Sequence, residues 1–357
     1  MEKLVLIDGN SLLNRAYYAT PVFTTRSGMP TNAIFGFVKL LFKILGDLKP
    51  KYIIVAFDLK APTFRHKMFD GYKATRKGMP DDLAAQVEPL KSLLSAMKIA
   101  TCSKEGFEAD DIIGTLSKRF DVHSYIYTGD RDSFQLVDEK TDVYYTKRGV
   151  SDLQKLNIEN FKSETGILPL QVIDLKALMG DKSDNIPGVA GIGEKTALNL
   201  LEKFGSLDGV YEKIESLSGA VKTKLAENKE SAYMSYKLAT IDRQCDLDIE
   251  LENCVAPAKY SGDVKKLFGD FEFNSLLSLN IFDESVGVRN NEIIYPEKVV
   301  CANYEDAVKV LDGQKQLSVV LEENCAHIYD GKTELVLEVS DNLLNEGISA
   351  DSFIDIL

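Results

Sequence analysis

Tyr52-Ile53-Ile54-Val55-Ala56-Phe57-Asp58 is an apolar, β-branched and aromatic run that stops on a carboxylate. It lacks the polar alternation of a half-exposed strand, so it reads as a strand buried on both faces of a parallel sheet. Leu4-Val5-Leu6-Ile7-Asp8 has the same form, and Ser124-Tyr125-Ile126-Tyr127 leads into Thr128-Gly129-Asp130-Arg131-Asp132. Between the first two runs, Thr31 is placed to cap a helix in which Ile34, Phe37, Val38, Leu41 and Leu45 recur at helical spacing. Further helices are expected over 82–97 and 109–119. This alternation predicts an α/β fold, a mostly parallel central sheet flanked by helices, over residues 1–168. From 169 to 285 strand signals give way to helices with Gly-rich turns, a second and helical unit. Residues 286–297 are polar and aperiodic and read as a linker, and 298–357 reads as a partial α/β piece with strands near 317–321 and 334–339.

Across 357 residues, 45% hydrophobic and 27% charged content is ordinary globular composition and excludes a disordered or fibrous chain. No uncharged apolar run reaches the ~18 residues of a membrane span. Met1 to Leu13 carries Asp8 inside its apolar stretch and has no basic lead-in, which does not fit a secretory signal. The five cysteines are odd in number, widely spaced and without a CxxC pair, the usage expected of reduced thiols in a cytoplasmic protein rather than of a zinc site. The net charge of -13 argues mildly against nucleic acid as a partner. However, residues 290–357 alone hold 14 acids and four lysines. The objection weakens further if a cluster of the remaining acids binds metal.

Acids fall where such a cluster would need them. Asp8 and Asp58 end strands, and Asp130 and Asp132 follow a third. In an open parallel sheet these carboxyl ends face one crevice. Glu108-Ala109-Asp110-Asp111 opens a helix, with Glu108 and Asp111 on one face, and Asp181 and Asp184 repeat the three-residue spacing. One acidic first turn is normally helix-dipole complementation, and one Asp after a strand is normally a turn residue. Four separate acid-terminated sites exceed both explanations. Hard oxygen ligands of this kind suit two Mg²⁺ (or Mn²⁺) ions, the arrangement that cleaves phosphodiesters.

Two further stretches fit a nucleic-acid ligand. Residues 60–77 hold Lys60, Arg65, Lys67, Lys73, Arg76 and Lys77 against Asp70, interleaved with Phe64, Phe69 and Tyr72, charge for phosphates and rings for bases. A solvated surface segment is the alternative; the position just after Asp58, at the mouth of the crevice, favours binding. In Ile186-Pro187-Gly188-Val189-Ala190-Gly191-Ile192-Gly193-Glu194-Lys195-Thr196-Ala197, two helices would be joined by a hairpin. Gly191 and Gly193 would bare backbone amides, Ile192 would plug the hairpin, and Gly188, Lys195 and Thr196 complete a phosphate cradle.

With Ile7-Asp8-Gly9-Asn10, Ala56-Phe57-Asp58, Phe64-Arg65-His66, Gly71-Tyr72-Lys73-Ala74-Thr75-Arg76, Glu108-Ala109-Asp110-Asp111, Gly129-Asp130-Arg131-Asp132 and Gly180-Asp181-Lys182-Ser183-Asp184-Asn185-Ile186-Pro187-Gly188 in that order, the chain resembles the 5′-nuclease (flap endonuclease) portion of bacterial DNA polymerase I over about residues 1–285. The resemblance implies a PIN/5′-nuclease-like sheet followed by a helix-hairpin-helix unit. It implies that Asp8, Asp58, Glu108, Asp110, Asp111 and Asp130 surround one metal and that Asp132, Asp181 and Asp184 serve a second. Arg15, Lys73 and Arg76 would act on the scissile phosphate and the 5′ strand, with Lys73 and Arg76 in a mobile arch. The hairpin would grip duplex DNA through Gly191 and Gly193, with K⁺ on its carbonyls. The implied activity is two-metal cleavage of DNA carrying a 5′ flap, nick or RNA primer. The tail from 298 resembles the opening of a 3′–5′ exonuclease-like domain in which Leu321-Glu322-Glu323 lacks the Asp of an active site, and a polymerase domain of the same chain would be the partner if the chain is a fragment rather than a shortened relative. A non-catalytic helix-hairpin-helix module is the main rival. An aspartyl-phosphate hydrolase would need an Asp-x-Asp where Asp8 is followed by Gly9 and Asn10, and a PIN-type RNase normally lacks the hairpin unit.

Overall fold

The computed structural model describes residues 2–76, 78–149 and 152–282, together with the strands Glu297–Cys301, Ser318–Glu322, Cys325–Tyr329 and Thr333–Glu338. The chain divides into two units, Met1–Glu284 and Ser285–Leu357.

The first unit is built on six strands, β1 (Lys3–Asp8), β2 (Tyr52–Ala56), β3 (Ala100–Cys102), β4 (His123–Thr128), β5 (Thr141–Arg148) and β6 (Asp152–Leu156). They lie in the order β3-β2-β1-β4-β5-β6, parallel except for the antiparallel edge strand β6. β1 and β2 are apolar without alternation because each face meets its own layer. Val5, Ile7, Ile53 and Val55 face one core with the helices α1 (Gly9–Ala19) and α2 (Asn32–Leu48). Leu4, Leu6, Ile54 and Ile126 face the other. The chain runs outward from β1 to β2 and β3, then crosses back to place β4 on the opposite side of β1. The crevice of an open parallel sheet opens at such a reversal, here beyond Asp8 and Thr128.

After α3 (Phe64–Met68), the segment expected as one helix over 82–97 is two, α4 (Asp81–Ala84) and α5 (Val87–Ala96), broken at Gln86. The break has a use. Thr31 stands at the N-cap position of α2, but its buried hydroxyl has no partner. The fully buried Gln86 replaces it: its Oε1 accepts from the amides of Ala33 (2.8 Å) and Ile34 (3.2 Å), and its Nε2 donates to Asn32 Oδ1 and to the Asp82 carbonyl. A tertiary glutamine thus satisfies the orphan amides that the local threonine was expected to cap. The helix α6 (Ala109–Arg119) follows β3 as expected.

Beyond β6 the unit is helical: α7 (Phe161–Thr165), α8 (Gln171–Met179), α9 (Glu194–Phe204), α10 (Leu207–Glu212), α11 (Gly219–Glu227), α12 (Lys229–Ala239), α13 (Gly262–Asp270) and α14 (Asn274–Leu277). Val189, Ile192, Leu200 and Leu225 form the core of this part, while Phe268 of α13 returns to the α2 side of the sheet.

In the second unit β7 (Glu297–Cys301), β8 (Ser318–Glu322), β9 (Cys325–Tyr329) and β10 (Thr333–Glu338) form a sheet in the order β7-β10-β9-β8. β10 runs parallel to β7, and the other pairings are antiparallel. The expected strands near 317–321 and 334–339 correspond to β8 and β10. Residues 286–296 of the expected linker lie outside the described residues, as does Glu323.

Replacing Gln86 by Ala leaves two helix amides and the Asn32 carboxamide without their buried partner. In urea unfolding, Gln86→Ala should lose about 1–3 kcal/mol, whereas Thr31→Ala should cost less than the ~1 kcal/mol of a working N-cap.

Candidate active site

Each acid of the crevice is held by its own loop. Asp8, the last residue of β1 and the N-cap of α1, accepts from the Ser11 amide (2.9 Å) and from Thr128 Oγ1 (3.0 Å). Asp58, just past β2, accepts from the Ala109 amide at the start of α6 (2.8 Å), and its own amide donates to Asn10 Oδ1. Ser133 donates to Asp110, and Asp130 accepts from the Asp132 amide. A cleft of about 650 Å³ is lined by Asp8, Asp58, Glu108, Asp110 and Asp130, with Arg15, Lys73 and Arg76 on its walls. An adjoining cleft of about 1110 Å³ shares Asp130 and Arg76 and continues past Asp132, Lys176 and Asp181 to Gly193.

Burial, reinforced by the charges of Asp58 and Asp130, pushes Asp8 up to about 7. Asp132 is likewise pushed up to about 7 by burial and Asp130, against the pull of Lys176. Asp110 is raised by burial and by Asp130, Asp8 and Asp132, and Asp58 chiefly by burial. Bases temper the rim. Lys73 pairs with Glu108 (2.8 Å), Arg76 with Asp184, and Lys176 bridges Asp132 and Asp181. Burial would raise Asp181, yet Lys176 and the Ser183 hydroxyl and amide hold it down at about 2. Among the described residues, no three acid, His or Cys side chains stand as a ready-made metal cage.

Four expectations are corrected. Asp111 does not face the cleft: it is fully buried and chelates Arg65 through two 2.8 Å bonds while accepting the Glu108 and Asp242 amides, so its oxygens are already committed. Arg65, expected on DNA, is 3% exposed and also donates to the Leu238 and Thr240 carbonyls. Tyr72 is equally buried, its hydroxyl within hydrogen-bonding distance of Glu108 and Asp184. Gly188 is buried where two stretches of backbone cross: at φ +61°, an added Cβ would lie 2.2 Å from the Gly180 nitrogen.

The hairpin otherwise follows the sequence reading. Gly191, Gly193 and Lys195 are exposed at the start of α9, Thr196 is half-buried in its first turn, and Ile192 is buried in the helical core. Lys224 Nζ donates to the Gly191 carbonyl (3.0 Å). Arg15 reaches the Gly129 carbonyl (3.3 Å) at the cleft wall, and Asp184 pairs with Arg76 while sharing the Ser183 hydroxyl with Asp181. Sequence reasoning missed Lys176. Its signal was a base within α8, whose one other charged side chain is Asp174.

Residues 3–166 match the model of the 5′–3′ exonuclease N-terminal resolvase-like domain, and residues 167–261 that of the 5′–3′ exonuclease C-terminal SAM fold. The chain belongs to the 5′–3′ exonuclease family. Within this family it is 43% identical over 284 residues to DNA polymerase I of Bacillus subtilis, covering 77% of this chain and 32% of that protein. It is 36% identical over 364 residues to DNA polymerase I of Caldicellulosiruptor bescii, covering 99% of this chain and 42% of that protein. It therefore spans well under half the length of these relatives. The fold is shared with the bacteriophage T5 5′-exonuclease bound to zinc, at a TM-score of 0.54 and 22% identity over 77% of this chain and 98% of that one. A complex of the T5 flap endonuclease with DNA and metal ions superposes with a TM-score of 0.54 at 21% identity over the same shares.

Two outcomes follow from the site. Removing Arg65 strands a buried carboxylate, so Arg65→Ala should cost about 3–5 kcal/mol in denaturant unfolding, a loss that a mere DNA contact would not produce. Asp8 and Asp132 ionise at the ordinary 3.8 when unfolded and at about 7 when folded, so between those values the folded chain holds the extra protons. Stability measured in EDTA should therefore fall as pH rises from about 4 to about 7. Asp181 acts oppositely: its contribution is present above 3.8 and is lost towards pH 2.

Proposed function

We propose that the chain is a structure-specific 5′ nuclease, acting as 5′–3′ exonuclease and flap endonuclease on the phosphodiester bonds of DNA and RNA primers in replication and repair. The observation that carries this is the gathering of carboxylates whose pKa values are raised at the sheet's switch point, with Asp8 buried and Asp110 and Asp132 half-buried. An all-oxygen donor set of this kind fits hard divalent cations, Mg²⁺ above all. Asp8, Asp58, Glu108, Asp110 and Asp130 would hold one ion; Asp132, Asp181 and Asp184 would serve the second. When bound, the ions supply charge neutralisation at the attacking and leaving oxygens. The T5 protein's complex with DNA and metal ions supports the same reading.

The chain's own residues do the rest. Lys73 and Arg76 pair with carboxylates at the cleft, and a phosphate offers them the same oxyanion geometry, so they orient the scissile group and offset charge as it develops. Arg15 closes the wall beside Gly129. The exposed amides around Gly191 and Gly193, with Lys195 at the positive end of α9, cradle duplex phosphates without reading bases. The Gly191 carbonyl already accepts a lysine ammonium, which supports a K⁺ there. The substrate is DNA with a 5′ flap, nick or RNA primer, the setting is cytoplasmic, and, if the chain is a fragment, its partner is a polymerase domain of the same chain. Residues 1–168 form the catalytic domain and 169–285 the duplex-gripping one, with 298–357 an inactive exonuclease-like piece.

The test is cleavage of a labelled 5′-flap duplex in Mg²⁺. Asp110→Asn should cut at least about a hundredfold more slowly while binding the flap in Ca²⁺ within a fewfold of the parent. Full activity in Asp110→Asn would remove the acids from the reaction; DNA binding that EDTA leaves intact, without cleavage in Mg²⁺, would favour the non-catalytic module.

A further inference from the structure

Between the cleft and the hairpin lies a turn, residues 181–186, closed by reciprocal main-chain bonds between Asp181 and Ile186 (2.9 and 2.8 Å) and by the Asp181 carboxylate on the Ser183 amide and hydroxyl. Asn185 is not needed for that closure. Its backbone is left-handed (φ +56°), and its side chain leaves the turn to donate from Nδ2 to the Gly71 carbonyl at 2.7 Å. Two residues on, the Lys73 amide donates to the Asp184 carbonyl (2.9 Å), and Arg76 Nε donates to the Ser183 carbonyl (3.3 Å). Lys73 is itself left-handed (φ +55°), so the direction of its ammonium depends on how the chain is pinned on either side of that kink. Tyr72 anchors the same stretch from beneath, in a small core with Ile186, Ile173 and Leu238.

We propose that Asn185 is a positioning residue: its side-chain amide pins the main chain at Gly71 and so sets where Lys73 stands at the cleft. The turn's far end continues into Gly188, whose amide donates to Ser235 Oγ and whose carbonyl accepts from Ser231 Oγ on α12. One short segment therefore ties the hairpin to the basic side chains, and duplex held at the one is registered on the other. Glycine and aspartate also tolerate the left-handed backbone, but neither can donate to Gly71; that donor is what the position requires.

The inference rests on the nuclease reading, and the experiment separates the two. Single-turnover cleavage of a 5′-flap duplex in Mg²⁺, with flap affinity in Ca²⁺ and thermal unfolding in parallel, is measured for the parent, Asn185→Gly, Asn185→Asp and each of these combined with Lys73→Ala. A parent that binds but does not cut sinks the nuclease reading itself. If the parent cuts, both single variants should lose roughly tenfold or more in cleavage rate, with affinity within twofold and unfolding near the parent's. Added to Lys73→Ala, the same changes should cost less than twofold, because the residue they displace is gone. Unchanged cleavage in a folded single variant overturns the proposal. So does an equal loss in both backgrounds, or a loss that follows affinity or unfolding.

Discussion

Carboxylates tied down by backbone amides and neighbouring hydroxyls dominate this molecule. Asp8 is held by the Ser11 amide and Thr128, Asp58 by the first amide of α6, Asp130 by the Asp132 amide and Asp110 by Ser133. Asp8 is buried and Asp110 and Asp130 half-buried, so little water is left to screen them from one another. Positive charge must come to them. At the rim it comes from Lys73, Arg76 and Lys176; deeper in, around Asp8 and Asp110, protons are retained instead. Small divalent cations, as proposed above, would take the place of those protons and ammonium groups.

The parallel sheet is what makes such crowding possible. Strands that run the same way deliver their carboxyl ends to one edge, and the reversal of order at β1 opens that edge into a crevice. The helical part completes it from the other side: α8 supplies Lys176, and the turn after it supplies Asp181 and Asp184. The two parts are locked by the Arg65–Asp111 pair, which also gathers the Leu238 and Thr240 carbonyls and the Asp242 amide. Such a pair adds little net stability over an apolar substitute, but with all its partners in place it admits one registration of α3, α6 and the segment after α12.

Much of this was legible in the chain. The buried strands, α6, the acids at strand ends and the exposed hairpin glycines all follow from local pattern, because uninterrupted apolar runs and glycine spacing act over a few residues. Thr31 was misread because an N-cap is judged from sequence by its own side chain, whereas α2 is capped by Gln86 from 54 residues away from Asn32. Asp110 and Asp111 could not be separated by spacing. Adjacent helical residues point about a quarter-turn apart, and which of them meets a buried arginine is decided by what packs on that face.

The sequence by itself determined the layered sheet, the supply of acids at its carboxyl edge and the hairpin, since each depends on short-range periodicity and on residue chemistry. Only the tertiary structure decided which acids share the cleft, that Arg65, Tyr72 and Gly188 are interior, and that Lys176 stands among the acids. The physical reason is that burial and ion pairing are properties of what surrounds a side chain, and those surroundings come from segments far apart along the chain.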